Sequence, residues 1–325
     1  MSVEAASADD GEVPTLGLVV HPSRAVDESV STILRWARTH AVRVIARDLD
    51  RDRITGQVDT LPDARFVDRV KGLVALGGDG TMLGAMRLVA ERPVPVLGVN
   101  HGNLGFLVEV TPDTLETALA RLVSGDFTVE SHGCLVAACR SGRPLRTDSG
   151  FNDVVLARRG RSGAVSLDLT VNDQQYGYYR CDALVVATPS GSTAYNYAAG
   201  GPIVSPSAAA IVITPVAAMA GIGRAIVLGA GDRVSLHIDP ASAPVDVDVD
   251  GTPSAELVPG AVLTVRLRED AGQVVRLSAG THARRSRLKL SLLDLPLRRD
   301  QLLELIPENL RPHGAAAPGP EPEDG

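Results

Sequence analysis

The feature that most constrains the fold is an alternation of apolar and amphipathic segments over residues 16–125. Apolar runs at 16–20, 42–46, 72–76 and 94–99 have the length of buried strands. Segments 27–39, 81–91 and 111–124 instead place apolar residues at helical spacing. Asp27 is positioned to cap the first of these helices, Thr111 and Pro112 open the last, and Gly125 follows its end. This alternation predicts a mostly parallel sheet with helices on both faces.

Beyond residue 126 the pattern changes to short strands separated by turn residues. They are predicted at 134–139, 151–157, 165–172, 175–180, 183–188, 210–214, 233–238, 245–249, 262–267 and 274–279, with one brief helix at 191–201. We therefore predict an α/β domain at 14–126 and a β-rich, sandwich-like domain at 127–297. A last helix at 298–306 and a tail too rich in Pro, Gly and Ala to fold complete the segment 298–325.

Composition excludes several classes of protein. A net charge of −7 over 325 residues gives no basic footprint for nucleic acid. Residues 1–13 carry acidic side chains and no apolar core, so we expect no signal peptide, and no apolar stretch suits a membrane span. Cys134, Cys139 and Cys181 form no CxxC pair, which favours reduced thiols. These features predict a soluble, cytoplasmic protein.

The segment GGDGT at 77–81 follows a predicted strand and opens a predicted helix. Gly78 and Gly80 allow backbone N–H groups to approach phosphate oxygens, and the helix N-terminus attracts an anion. The turn matches neither a Walker A loop nor a GxGxxG turn. The carboxylate of Asp79 makes chemical sense as a base toward a hydroxyl that attacks phosphorus, as in kinases, where the metal travels with the nucleotide. A tight turn with Asp79 as a local cap is the alternative.

Three further loops carry polar groups. The loop 98–107 is rich in small residues, and Asn152 and Asp153 head a predicted strand with an amide and a carboxylate suited to adenine and ribose. The stretch 181–206 runs from a buried strand through Ser190 and Thr193 to Tyr195, a combination suited to a nucleoside pocket. Without context, ordinary turns would explain the first two.

Other site types fit the sequence less well. VDVDVDG at 245–251 resembles a calcium loop, but Leu257 stands where the loop needs Glu, so we interpret it as a half-buried strand with its acidic residues facing water. A GxSxG elbow is absent and no His/Asp partner set is visible, which argues against a serine hydrolase. The seven histidines show no metal-ligand spacing.

In combination, GGDGT, NHGNLGF at 100–106, FND at 151–153 and CDALVVATPSGSTAYNYAAGGPIVSP at 181–206 resemble the NAD kinase family over roughly residues 15–290. The resemblance implies a Rossmann-like α/β domain followed by a β-sandwich-like domain. It also implies transfer of the ATP γ-phosphoryl group to the adenosine 2′-hydroxyl of NAD, with Mg²⁺ entering on ATP. The family forms dimers or tetramers, so a homo-oligomer is expected, and polyphosphate as donor stays open.

The resemblance also implies roles for individual residues. Asp79 would act as the catalytic base, with Gly78 and Gly80 beside it, and no protein-held metal is expected. The other residues expected to bind nucleotide are Asn152, Asp153, Arg180, Asp182, Ser190, Thr193, Ala194, Tyr195, Asn196, Ala198 and Ala217.

One stretch departs from the family pattern: Met219 stands in place of a His and Ala225 in place of a Pro. Two other functions are compatible with the same superfold: a kinase with another acceptor, such as a lipid or a different nucleoside, and a non-catalytic NAD(P)-binding regulator. The adenosine-site motifs argue against the first, and an intact Asp79 argues against the second.

Overall fold

The computed structural model describes residues 14–102, 105–140, 144–160, 163–278 and 280. Up to Leu277 the chain forms one compact unit, and the second unit, Ser278–Gly325, lies almost entirely outside the described residues. The predicted helix at 298–306 and the tail lie there as well. The boundary predicted near residue 126 stays a prediction.

The N-terminal part is a parallel sheet in the order β3-β2-β1-β4-β5, as the alternation predicted. The strands are β1 (Thr15–Val20), β2 (Arg43–Arg47), β3 (Asp59–Leu61), β4 (Gly72–Gly77) and β5 (Pro95–Asn100). The helices are α1 (Asp27–Thr39), α2 (Asp63–Arg69), α3 (Asp79–Leu88) and α4 (Leu115–Ser124), with 3-10 turns at Asp48–Arg53 and Pro112–Thr114.

Helices cover both faces of this sheet. On one face, side chains of α1 and α4, such as Ile33 and Leu119, share a buried cluster with β-strand residues. On the other face, Phe66 of α2 and Met86 of α3 join a second cluster. This arrangement confirms the α/β prediction, because apolar side chains of the buried strands need cover on both sides.

The capping role predicted for Asp27 was wrong, and so was one predicted helix start. Asp27 does not cap α1 from outside; it is the first helical residue, and its Oδ1 accepts a hydrogen bond from Thr55 Oγ1 at 2.9 Å. The helix expected from Thr81 begins at Asp79 and ends at Leu88. The predicted end of α4 was right, since Gly125 adopts a left-handed φ of 76°.

The C-terminal part is a sandwich of antiparallel strands, as predicted. The strands are β6 (Thr128–Cys139), β7 (Ser149–Gly150), β8 (Asp153–Arg158), β9 (Val165–Val171), β10 (Gln174–Cys181), β11 (Ala183–Ala187), β12 (Ala210–Val216), β13 (Ala220–Gly221), β14 (Ile226–Gly229), β15 (Val234–Ile238), β16 (Val245–Val249), β17 (Thr252–Leu257) and β18 (Val262–Arg276). The brief helix is a 3-10 turn, Ser190–Thr193, followed by α5 (Tyr195–Ala198).

Among the described residues, six strands form one layer in the order β14-β12-β11-β8-β16-β17, and β9, β10, β15, β6 and β18 lie in the other. The main buried cluster fills the space between them, with Leu167 and Leu184 as members. Alternating apolar residues on β9 and β16 supply the inward faces.

The two strands predicted at 262–267 and 274–279 are one strand, β18. It pairs with β6 along its length, with a bulge between Arg268 and Gly272. Near its end, Gln273 and Val274 pair in parallel with Pro95 and Val96 of β5. The last strand therefore extends the N-terminal sheet into the sandwich.

Candidate active site

The GGDG turn lies between the end of β4 and the start of α3. Gly78 has extended backbone angles, φ −120° and ψ −162°. A Cβ on Gly77 would lie 2.1 Å from Thr81 Oγ1, whereas a Cβ on Gly78 or Gly80 would meet nothing within 4 Å. Gly77 is therefore required by packing, and Gly78 and Gly80 leave open space beside Asp79 at the N-terminus of a helix.

Asp79 connects the GGDG turn with the loop at 98–107. Its Oδ2 accepts a hydrogen bond from the Phe106 amide at 2.9 Å, and its Oδ1 accepts one from the Leu107 amide at 3.0 Å. A Cβ on Gly105 would lie 2.0 Å from Asp79 Oδ1, so only glycine fits at that position. The carboxylate is thus oriented by two backbone donors and by the helix N-terminus that carries it.

A cavity of about 980 Å³ opens beside this turn. Gly78, Asp79 and Gly80 line it, and the other predicted site residues lie outside its lining. Five arginines also line it: Arg24, Arg47, Arg53, Arg87 and Arg146. The carboxylates in the lining are Asp63, Asp79, Glu91 and Asp148. This mixed but arginine-rich wall suits the oxygens of a phosphate chain.

Asp250 organises the FND segment. Its side chain is 0% exposed and lies 2.8 Å from the Arg87 guanidinium. Its Oδ1 accepts hydrogen bonds from the amides of Asn152 at 2.7 Å and Asp153 at 3.1 Å, and its Oδ2 accepts one from the Phe151 amide at 3.0 Å. The interpretation that the acids of 245–251 face water was therefore wrong for Asp250. It ties α3, and with it Asp79, to the strand that Asp153 begins.

Asp153 is a buried carboxyl group beside other acids. Its residue surface is 4% exposed. Burial, followed by the charges of Asp250 and Asp248, raises the pKa of Asp153 from 3.8 to about 7. Near neutral pH this side chain can therefore either donate or accept a hydrogen bond.

The segment after β11 packs directly on FND. The Thr188 amide donates to the Asn152 carbonyl at 2.9 Å. Thr188 Oγ1 donates to the Phe151 carbonyl at 2.6 Å and accepts from the Gly191 amide at 2.9 Å. A Cβ on Gly191 would lie 1.9 Å from the Asn152 carbonyl oxygen. The structure thus brings Asn152 and Asp153 together with the Ser190–Thr193 turn, as the sequence predicted.

The residues after Ser190 divide into exposed and internal ones. Tyr195 is 42% exposed and Ala198 is exposed, while Thr193 and Ala194 are partly buried. Asn196 is buried: its Nδ2 donates to the carbonyls of Ser192 and Pro202, both at 3.0 Å, and its Oδ1 accepts from Thr214 Oγ1 at 2.7 Å. The amide of Asn196 therefore holds the turn in shape, and any role for it toward a ligand stays a prediction.

The remaining predicted positions lie on neighbouring strands. Arg158 Nε donates to Asp182 Oδ1 at 2.7 Å. Arg180 is exposed, and its carbonyl accepts a hydrogen bond at 2.7 Å from the amide of Met219, the residue that departs from the family pattern. Ala217 follows β12 with φ 50°, a conformation that non-glycine residues rarely adopt. Such strain is typical of positions held for function.

The structure gives Ser190 a histidine partner that the sequence did not reveal. His132 on β6 is buried, and its Nδ1 lies 2.9 Å from Ser190 Oγ. Its Nε2 lies 3.0 Å from Oε1 of Glu130. Burial opposes ionisation of Glu130, but hydrogen bonds from His132 and Arg276 outweigh it and lower the pKa of Glu130 to about 2. The signal in the sequence was the i, i+2 spacing of Glu130 and His132, which puts both side chains on one face of a strand.

Three features of the chain concern other site types. Among the described residues, no three His, Cys, Asp or Glu side chains gather into a possible metal site. No helix in that part of the chain is long and apolar enough to cross a membrane. Cys134, Cys139 and Cys181 are free thiols, as expected.

The fold agrees with comparisons to known proteins. Residues 16–127 match the model of the ATP-NAD kinase N-terminal domain, and residues 151–277 match that of the ATP-NAD kinase C-terminal domain. The chain is 34% identical to the NAD kinase of Heliobacterium modesticaldum, over 86% of this chain and 99% of that one. It is 35% identical to NAD kinase 1 of Streptomyces avermitilis, over 87% and 89%.

Two solved structures share the fold at 22% identity. Yeast NADH kinase complexed with NADH superposes with a TM-score of 0.77, over 89% of this chain and 91% of that one. An NAD kinase from Archaeoglobus fulgidus in complex with ATP gives 0.66, over 86% and 98%. With both domain models matched and relatives above 30% identity over most of its length, this chain belongs to the ATP-NAD kinase family.

Proposed function

We propose that the protein transfers the γ-phosphoryl group of ATP to the adenosine 2′-hydroxyl of NAD, giving NADP and ADP. The observation that carries this proposal is the placement of Asp79. Its carboxylate lies at a helix N-terminus, is held by the amides of Phe106 and Leu107, and lines a cavity rich in arginines. A base oriented beside a phosphate-binding wall is what in-line phosphoryl transfer needs.

Asp79 accepts the proton of the 2′-hydroxyl as that oxygen attacks the γ-phosphorus. The bond from the γ-phosphorus to the bridging oxygen breaks, and ADP leaves with the bonding electron pair. Because Asp79 also accepts two backbone hydrogen bonds, its remaining lone pairs are aimed in fixed directions. Such positioning reduces the entropy that must be lost to reach the transition state.

The acceptor site is formed by the FND segment and the turn that packs on it. Asn152 and Asp153 hold adenine and ribose, and Ser190, Thr193, Ala194 and Tyr195 line the dinucleotide site. Arg180, Asp182, Asn196, Ala198 and Ala217 complete this set as further contacts. The hydrogen bonds between Thr188 and the FND backbone support this assignment, because they fix the two segments against each other.

The donor site is the arginine-lined cavity. Mg²⁺ would enter with ATP, and it would supply neutralisation of the charge on the phosphate groups during transfer. The arginines that line the cavity fit phosphate oxygens, so the ion would be carried by the nucleotide. An open wall of arginines also accepts longer phosphate chains, so polyphosphate is a second donor to test.

Two further expectations belong to this proposal. The protein works in the cytoplasm, which its free thiols support. It assembles as a dimer or tetramer in which a neighbouring subunit completes the dinucleotide site, as the family resemblance implies.

The test is an assay of the purified protein with NAD, Mg²⁺ and either ATP or polyphosphate, followed by enzymatic detection of NADP. We expect NADP with ATP and none from the Asp79→Ala variant. Phosphorylation of another nucleoside or a lipid without NADP would favour the kinase with a different acceptor. Binding of NAD without turnover would favour the non-catalytic regulator.

A further inference from the structure

A chain of polar side chains connects the proposed nucleotide segment to the loop that holds Asp79; His132 and Arg276 in it are buried, and Ser190 and Glu130 are partly buried. It starts at Ser190 Oγ, which lies 2.9 Å from His132 Nδ1, and continues to Glu130, whose Oε1 lies 3.0 Å from His132 Nε2. Glu130 Oε2 accepts a hydrogen bond from Arg276 Nε at 2.7 Å. These side chains come from β6, β18 and the turn after β11, so the contacts span distant parts of the sequence.

Arg276 carries the connection to the loop. Its Nη2 donates to the Phe106 carbonyl at 3.0 Å, and its Nη1 donates to the Leu107 carbonyl at 3.2 Å. The amides of these same two residues donate to Asp79. The peptide groups of Phe106 and Leu107 are therefore fixed from one side by Arg276 and from the other by Asp79.

The geometry also decides how the Ser190 hydroxyl is used. In the tautomer of His132 whose proton lies on Nε2, the nitrogen beside Glu130 Oε1, the other ring nitrogen, Nδ1, is a hydrogen-bond acceptor. Ser190 Oγ–H then donates to His132 Nδ1. The oxygen of Ser190 keeps its lone pairs for a donor group on a ligand, such as a ribose hydroxyl or an exocyclic amine.

Apolar side chains of similar size commonly replace buried ionic groups without loss of stability. The buried His132 and Arg276 are therefore poorly explained by stability alone, and the two ends of their network lie on the two parts of the proposed site. We infer that His132 is a positioning residue: it sets Ser190 as a hydrogen-bond acceptor for the dinucleotide and, through Glu130 and Arg276, holds the Phe106–Leu107 loop that orients Asp79.

The inference rests on the proposed function, and it predicts two separable effects. The contact of Nδ1 with Ser190 serves binding of NAD, whereas the contact of Nε2 with Glu130 serves turnover. Asn places an amide oxygen near the position of Nδ1 but cannot reach Glu130. Gln places an amide nitrogen near the position of Nε2 but leaves Ser190 without its partner.

The experiment compares His132→Asn, His132→Gln and His132→Phe with wild type by steady-state kinetics and thermal unfolding. We expect His132→Gln to raise the KM for NAD about tenfold with little change in kcat, the effect of one hydrogen bond. His132→Asn should lower kcat about tenfold with little change in KM, and His132→Phe should do both. His237→Asn, an exposed histidine on β15, is the matched control and should change neither.

Amide hydrogen exchange gives a second readout that needs no turnover. Exchange at Phe106 and Leu107 should be faster in His132→Asn and His132→Phe than in wild type, and unchanged in His132→Gln. The inference is overturned if the Asn and Gln variants share one kinetic and exchange profile, or if every change follows the loss of thermal stability. Absence of NADP formation by wild type would instead refute the proposed function, while the exchange data would still test the connection from His132 to the loop.

Discussion

Replacing Asp153 by Asn tests the electrostatics of the FND segment most directly. Asn has nearly the same shape as Asp and does not titrate, so the difference between the two proteins isolates the ionisation of one group. Burial and the neighbouring Asp250 and Asp248 raise the pKa of Asp153 from 3.8 to about 7 in the folded protein. Ionisation of this carboxyl therefore opposes folding.

The sign and size follow from linkage. Because the folded pKa lies above the unfolded value, the stabilising contribution of the neutral form is fully present below pH 3.8 and is lost as the pH rises through about 7. At about 1.36 kcal/mol for each pKa unit, the whole effect is about 4 kcal/mol. Roughly 2–3 kcal/mol of it falls between pH 5 and pH 8. The free energy of unfolding of wild type should decline by that amount relative to Asp153→Asn.

The assay is urea unfolding of both proteins at a series of pH values, followed by circular dichroism and by the fluorescence of Trp36, the one tryptophan in the sequence. Asp246→Asn is the control: it removes a carboxylate of the same sheet whose side chain is 43% exposed and 3.9 Å from Arg159. A surface pair of this kind contributes about 0–1 kcal/mol. A difference between wild type and Asp153→Asn that stays constant from pH 5 to pH 8 would refute the reasoning.

Four more outcomes are expected. Asp79→Asn should keep the fold but lower kcat by a factor of about 10²–10⁴. Near-full activity in steady-state assays would mean that Asp79 only holds the loop and is not the base. Calorimetry should detect no tight Mg²⁺ binding without nucleotide, and a strong signal would contradict entry of the ion with ATP. Nicotinamide mononucleotide should not be phosphorylated, and Asp153→Ala should raise the KM for NAD far more than the KM for ATP. Turnover of the mononucleotide at a rate comparable to that of NAD would contradict the assignment of the acceptor site. Gly191→Ala places a Cβ 1.9 Å from the Asn152 carbonyl oxygen and should lower the free energy of unfolding by about 1–3 kcal/mol. The Cβ of Gly231→Ala meets nothing within 4 Å, so this control should lower the free energy of unfolding far less.

The parts of the fold that the sequence predicted are those with a strong periodic signal. The bounds of α1 match the prediction of 27–39, because its apolar residues repeat at helical spacing and its polar face is uninterrupted. β3 and α2 were missed, since they have three and seven residues and lie in a charged segment. That segment is held by tertiary contacts: Phe66 of α2 joins a buried cluster, and Arg92 Nη1 donates to the Val67 carbonyl at 2.8 Å.

For the candidate site, the sequence predicted which segments meet and missed the residues that connect them. Small-residue loops and adjacent polar residues are local signals, so GGDGT and FND stood out. The exposure predicted for Asp250 was wrong because the alternation with valines predicts which face a residue within the strand lies on. Asp250 follows the last residue of β16, so the alternation does not apply to it. Arg276 carries no local signal, and the i, i+2 spacing of Glu130 and His132 does not reveal their partners. Only the pairing of β18 with β6 and the turn at Ser190 bring these partners together.

The parallel pairing of β18 with β5 has a consequence for how the chain is made. During synthesis β5 emerges long before residues 273 and 274, its partners in the finished sheet. Until they leave the ribosome, Pro95 and Val96 at the start of β5 lack these partners, whereas Gly98 and Asn100 are already bonded to the segment of Glu109 and Val110. Unpaired backbone groups at a strand edge invite pairing between chains. In a chain that ends within β18 before residue 273, β5 would never gain these partners. A ribosome-bound or truncated form that ends before residue 273 should therefore aggregate, although the sheet from β1 to β5 is already encoded.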